Sequence, residues 1–84
     1  MNVLLKYIIL VANMTPVLFP EHLDHNKAAG NMQVLSAGFV RIMTDKNGKV
    51  EVYCSGASLT LGLDSRGEKD ADLITVMLSS EVWS

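Results

Sequence analysis

Two alternating apolar runs joined by Asp45-Lys46-Asn47-Gly48 constrain this chain more than any other stretch. In the first, Met32 to Met43, an extended backbone puts Phe39, Arg41 and Met43 on one face and Val40 and Ile42 on the other. In the second, Lys49 to Cys54, Val50, Val52 and Cys54 alternate with Lys49, Glu51 and Tyr53. Asp favours the first position of a type I turn, and Asn or Gly supplies the positive φ that a following bulge needs. Residues 34-54 therefore read as the central β-hairpin of a small sheet.

Two Ser/Gly-rich pieces interrupt this hairpin, Ser36-Ala37-Gly38 and Ser55-Gly56-Ala57-Ser58. Counted outward from the turn, positions 37 and 56 are nearly equidistant, so the two pieces face each other across the ladder. Strand glycines usually mark a bend or a close backbone approach, which is the plainer reading. The functional reading is a shallow polar notch, in which backbone N–H groups and hydroxyls hold a small anion while Arg41 or Arg66 supplies charge. Its candidate residues are Ser36, Gly38, Ser55, Gly56 and Ser58 with Arg41 or Arg66, and Ser65 with Arg66, in Asp64-Ser65-Arg66-Gly67 before the second helix, is a further candidate anion cradle whose plainer reading is a helix cap. Neither piece matches a P-loop or a dinucleotide fingerprint.

Before the hairpin, Leu4 to Val11 is almost continuously apolar, which suits a strand covered on both faces or set against a second subunit. Lys6 sits inside the apolar run instead of before it, and the run is well short of the roughly 20 residues that span a bilayer. Neither a signal peptide nor a membrane span is expected. Pro20, the acids Glu21 and Asp24, Lys27 and the closing Gly30 predict a short helix over 20-29. Beyond the hairpin, Leu59, Leu61 and Leu63 alternate with polar or small residues, reading as a third strand or as the return strand continued past a bulge. Residues 68-79 predict a second helix, with Leu73, Ile74, Met77 and Leu78 forming one apolar stripe. The tail holds Val82 and Trp83, and a Trp gains more by packing back or onto a neighbouring subunit than by facing water. The expected fold is α+β: a single domain, 1-84, with a mostly antiparallel sheet of about four strands and both helices on one side.

A chain of 84 residues buries a modest core, so a partner copy is expected to extend it, making a homo-oligomer. The seven basic residues are scattered and the formal charge is -2, which gives no footprint for nucleic acid. One cysteine, Cys54, allows neither an internal disulfide nor a multi-thiolate zinc site and fits a reducing, cytoplasmic setting.

His22 and His25, three apart, can share a helix face as weak metal candidates, but a complete site normally has three or four ligands and none is evident. Two histidines on a polar face is the preferred reading. Cys54 with a histidine base can be pictured as a hydrolytic nucleophile. Its place beside Val50 and Val52 instead suggests a small apolar side chain, and its context matches no known nucleophile motif. No cofactor is expected, and no enzyme.

The succession Pro20-Glu21-His22-Leu23-Asp24-His25, Val34-Leu35-Ser36-Ala37-Gly38-Phe39-Val40, Ser58-Leu59-Thr60-Leu61 with Ser65-Arg66, and Asp72-Leu73-Ile74 resembles short uncharacterised accessory proteins of tailed bacteriophages and prophages. The resemblance implies a protein made in a bacterial host cytoplasm that acts by binding. It would block a host protein or sequester a small anionic signal molecule, as in counter-defence. A virion or assembly component is the alternative, and a small hydrolase or metalloprotein using His22, His25 and Cys54 comes third.

Overall fold

The computed structural model describes residues 2–82. Strand β1 (Asn2–Leu10) leads through a 3-10 turn (Ala12–Met14) into β2 (Thr15–Phe19), and helix α1 (His25–Ala29) precedes β3 (Val34–Thr44) and β4 (Val50–Ser55). Two short strands, β5 (Ala57–Ser58) and β6 (Leu63–Asp64), come before the long helix α2 (Glu68–Val82). The main sheet is antiparallel with order β2-β1-β3-β4, while β5 and β6 form a separate two-stranded ladder. The α+β class and the four-stranded antiparallel sheet follow the expectation.

The hairpin closes as the turn residues dictate. The Gly48 N–H donates to Asp45 C=O at 3.1 Å, Gly48 takes φ 80°, and the Asp45 carboxylate accepts the N–H groups of Asn47 and Lys49. It lies toward one edge of the sheet, however. The strands with neighbours on both sides are β1 and β3, and β4 is an edge.

Both faces of β1 are covered, and this decides where the helices go. Tyr7 and Ile9 join Val40 and Ile74 in one core cluster, to which Leu73 and Leu78 of α2 also pack. Ile8, on the other face, clusters with Phe19, Ala29 and Ala37, and with Leu61 and Leu63. The helices thus lie on opposite faces of the sheet, correcting the one-sided arrangement expected for 20-29 and 68-79. A strand apolar on both of its faces, as Tyr7, Ile8 and Ile9 make β1, needs a cover on each side.

Three local expectations also change. Helix α1 is only five residues, because Pro20 to Asp24 form turns, with the Leu23 N–H on Pro20 C=O, and Asp24 is extended at φ −75°, ψ 146°. Leu59 to Gly62 is a turn, and of the expected strand only Leu63 lies in one, β6. The Ser58 hydroxyl accepts the Leu61 N–H, the Gly62 N–H donates to Ser58 C=O, and the tight turn leaves Leu59 97% exposed. Helix α2 continues to Val82, past the expected end at 79. Trp83 lies outside the described residues. No helix among them is long and apolar enough to cross a membrane.

Candidate functional site

The two Ser/Gly pieces do meet. Phe39 pairs with Ser55, so Gly38 comes against the Ser55-Gly56 backbone, and a Cβ built on Gly38 would lie 2.5 Å from the Ser55 carbonyl oxygen and 3.1 Å from Ser65 Cβ. The missing side chain admits Ser65, and Ser65 begins a buried polar network.

That network centres on Asp70, in the first turn of α2 and fully buried. Its Oδ2 accepts the Tyr7 phenol at 2.6 Å and the Arg66 backbone N–H at 2.9 Å, while Oδ1 accepts the Arg66 Nε–H at 2.8 Å. Tyr7 OH is also 2.6 Å from Ser65 Oγ. A phenol has one proton and a carboxylate only accepts, so Tyr7 donates to Asp70 and the Ser65 hydroxyl donates to the Tyr7 oxygen. Ser65 Oγ in turn accepts the Gly67 N–H at 3.0 Å. One chain of bonds therefore ties β1 to the start of α2 across 63 residues of sequence.

Burial by itself would push the Asp70 carboxyl up, but hydrogen bonds from Tyr7, the Arg66 N–H and the Arg66 guanidinium, with Ser36 nearby, hold it below the ordinary carboxylate range. Burial, and then the hydrogen bond to Asp70, raises the Tyr7 phenol. Burial, and then the charge of Asp70, pushes the half-buried Cys54 thiol up to about 12. Cys54 therefore stays a protonated thiol at neutral pH, the opposite of what a nucleophile requires.

These shifts fix the pH response. Asp70, lowered in the fold, stabilises above its ordinary value of 3.8, and that stability is lost as pH falls through the folded value. Cys54 and Tyr7, raised in the fold, stabilise fully below their ordinary values of 9.0 and 10.0 and lose that contribution as pH rises, because the unfolded chain ionises first. Urea midpoints between pH 8 and 11 are expected to decline from about pH 9. The slope should be on the order of 1 kcal/mol per pH unit, since one proton released by the unfolded chain and kept by the folded one corresponds to about 1.36. Cys54→Ala should delay the onset by about one pH unit, to where Tyr7 begins to ionise.

Of the residues proposed for an anion notch, Ser36, Gly38, Ser65, Arg66 and the Ser55-Gly56 backbone come together here. Ser36 Oγ and Arg66 Nη2 are buried there without a hydrogen-bond partner among the described residues. The space is filled by Ser65, Tyr7 and Asp70, and the carboxylate already takes the Arg66 charge. An incoming anion would be desolvated beside a buried negative group, which is unfavourable. Arg41 is exposed and lies on the opposite face of the sheet. Ser58 bonds within its own turn, to the Leu61 N–H and with the Thr60 hydroxyl.

The histidines separate as well. His22 is exposed in the turn before α1, whereas His25 is buried. Its ring lies edge-on to Phe19 and Phe39, with centroids 5.3 and 5.9 Å away, and Nε2 sits 2.9 Å from the Gly38 carbonyl, so Nε2–H donates to it. Among the described residues, no group of three or more His, Cys, Asp or Glu could hold a metal ion.

What remains exposed is the sheet face opposite α2, beyond the reach of α1. Leu4, Arg41 and Tyr53 form one row across β1, β3 and β4, and Asn2, Met43 and Glu51 form the next. Leu4, Met43 and Tyr53 are 38%, 36% and 55% exposed. Tyr53 OH donates to Glu51 at 2.8 Å, while the Arg41 guanidinium has no ion-pair partner among the described residues. Lys6 in the adjoining row lies 5.9 Å over the Phe39 ring and donates to the Leu23 carbonyl. At the hairpin end a hollow of about 400 Å³ opens between Asn2, Met43, Asp45, Lys49 and Glu51.

Tyr7 and Asp70 escaped the sequence reading, although a tyrosine inside an apolar strand signals a hydroxyl in need of a partner. Compared with family models, with curated proteins and with solved structures, the chain finds no match.

Proposed function

We propose that this chain is a binding protein without catalytic activity, and that the uncovered sheet face around Leu4, Arg41 and Tyr53 docks on another protein. The supporting observation is the row itself: a guanidinium without an ion-pair partner among the described residues, between a leucine and a tyrosine on adjoining strands. Arg and Tyr are the residue types that dominate binding energy at protein interfaces. The flat, open shape suits a protein surface with apolar and acidic groups better than it suits a small anion, and the enclosed polar network carries its own carboxylate. In the setting implied by the phage resemblance, the target is a bacterial protein and the effect is to block it, as in counter-defence.

Affinity capture from bacterial lysate, with mass spectrometry of bound proteins and of released small molecules, tests this reading. The wild type should capture a protein that Arg41→Glu holds about 30-fold more weakly, as for an interfacial hot spot. Unchanged circular dichroism should show that the variant folds. Equal capture by the variant, or a released small molecule with no protein, overturns the proposal.

A further inference from the structure

Strand β4 has β3 on one side and, among the described residues, no strand on the other. The opposite edge, β2, is five residues long and carries Pro16, a residue that blocks strand addition. β4 has no proline. Its free backbone groups can be assigned. The Asp45 N–H donates to Lys49 C=O, so Asp45 and Lys49 form a hydrogen-bonded pair, and by alternation so do Met43 with Glu51, Arg41 with Tyr53 and Phe39 with Ser55. The N–H and C=O groups of Val50, Val52 and Cys54 therefore point outward.

We propose that β4 pairs antiparallel with β4 of a second copy, about a two-fold axis through Val52, so that the two sheets become one. Only even-numbered residues offer outward backbone groups, so Val50, Val52 and Cys54 must lie opposite each other's counterparts. That parity keeps the α2 sides of the two sheets on one face, and three arrangements bring most of the strand into register. Centring on Glu51 sets two carboxylates directly against each other, which is repulsive. Centring on Tyr53 leaves Val50 of each copy beyond the second copy's Ser55, outside the ladder. Centring on Val52 places Val50, 43% exposed, opposite Cys54 and Val52 opposite its own copy. It also sets Glu51 opposite the second copy's Tyr53, next to the second copy's unpaired Arg41. The acid of each chain thereby meets the cation-bearing row of the other. This isologous contact is closed, so assembly stops at the dimer.

Light scattering of the purified chain at micromolar concentration should give about twice the 9.2 kDa chain mass. Val52→Pro removes an outward N–H from each copy and no bond to β3, so it should weaken the dimer by at least roughly tenfold while circular dichroism stays unchanged. Val52→Cys in a Cys54→Ser background should form an interchain disulfide on mild oxidation, since opposed residues in a hydrogen-bonded pair lie about 5.5 Å apart, within disulfide range. A wild-type monomer, or a dimer that Val52→Cys does not cross-link, overturns the proposal even if Val52→Pro fails to fold. The dimer is read as mass without lysate, and because Glu51 of one copy lies near Arg41 of the other, capture lost with Arg41→Glu counts against the partner surface's independence unless light scattering gives that variant the wild-type mass.

Discussion

Asp70→Ala is expected to lower the unfolding free energy by about 3–5 kcal/mol, the usual cost of removing one member of a buried, hydrogen-bonded charged pair. The magnitude follows from what the alanine would leave behind. The Tyr7 hydroxyl, buried on β1, would lose its acceptor, and the Arg66 guanidinium, already with a buried Nη2 lacking a partner, would lose its only ion pair among the described residues. For a domain of 84 residues, whose total stability is roughly 4–13 kcal/mol, a loss of that size takes much of the margin. Urea denaturation followed by circular dichroism measures it. A change under about 1 kcal/mol would mean that the carboxylate is not the centre of the network.

The second large effect is expected at Gly38. Gly38→Ala inserts a methyl group 2.5 Å from the Ser55 carbonyl oxygen, which is backbone and cannot swing aside, and 3.1 Å from Ser65 Cβ. Either β4 or the Ser65 turn must retreat, and Ser65 cannot do so without pulling on Tyr7. A loss of about 3 kcal/mol, the upper end for overpacking, is expected in the same denaturation experiment. Ala37→Gly next to it, which adds no atoms, serves as the contrast. Equal small losses at both positions would show that the close approach relaxes freely.

How much of this was legible in the sequence depended on whether the cause was local. Asp45 to Gly48 specify their turn through their own side chains and φ angles, and the alternation on either side fixes the strand faces, so the hairpin could be read directly. Leu73, Ile74 and Leu78 likewise announce α2. Leu59, Leu61 and Leu63 misled because alternation also arises in a turn whose Leu59 side chain is simply left in solvent. The two-sided cover of β1 was written in its nearly continuous apolar run, yet a one-sided helix layer conflicts with it, and the structure resolves the conflict in favour of the run. His25 is likewise a local misreading: its spacing from His22 suggests a shared face, but burial between two phenylalanines turns it toward Gly38. The Tyr7–Asp70 bond was beyond reach, because nothing near either residue encodes a partner 63 positions away. Ser36, Gly38, Ser55, Gly56, Ser65 and Arg66 lie together, but what fills the space between them was not foreseen.

The same separation governs how the chain acquires its structure. Tyr7 is synthesised 63 residues before Asp70, which at ribosomal rates of about 5–20 residues per second is roughly 3 to 13 seconds. During that interval the run from Leu4 to Leu10 can pair with β2 and then with β3, but the face that will receive Ile74 stays uncovered, with a phenol lacking its carboxylate in its midst. The strand that carries the fully buried Tyr7, Ile8 and Ile9 of the finished molecule is thus an exposed hazard on the ribosome, and completion of α2 ends that exposure.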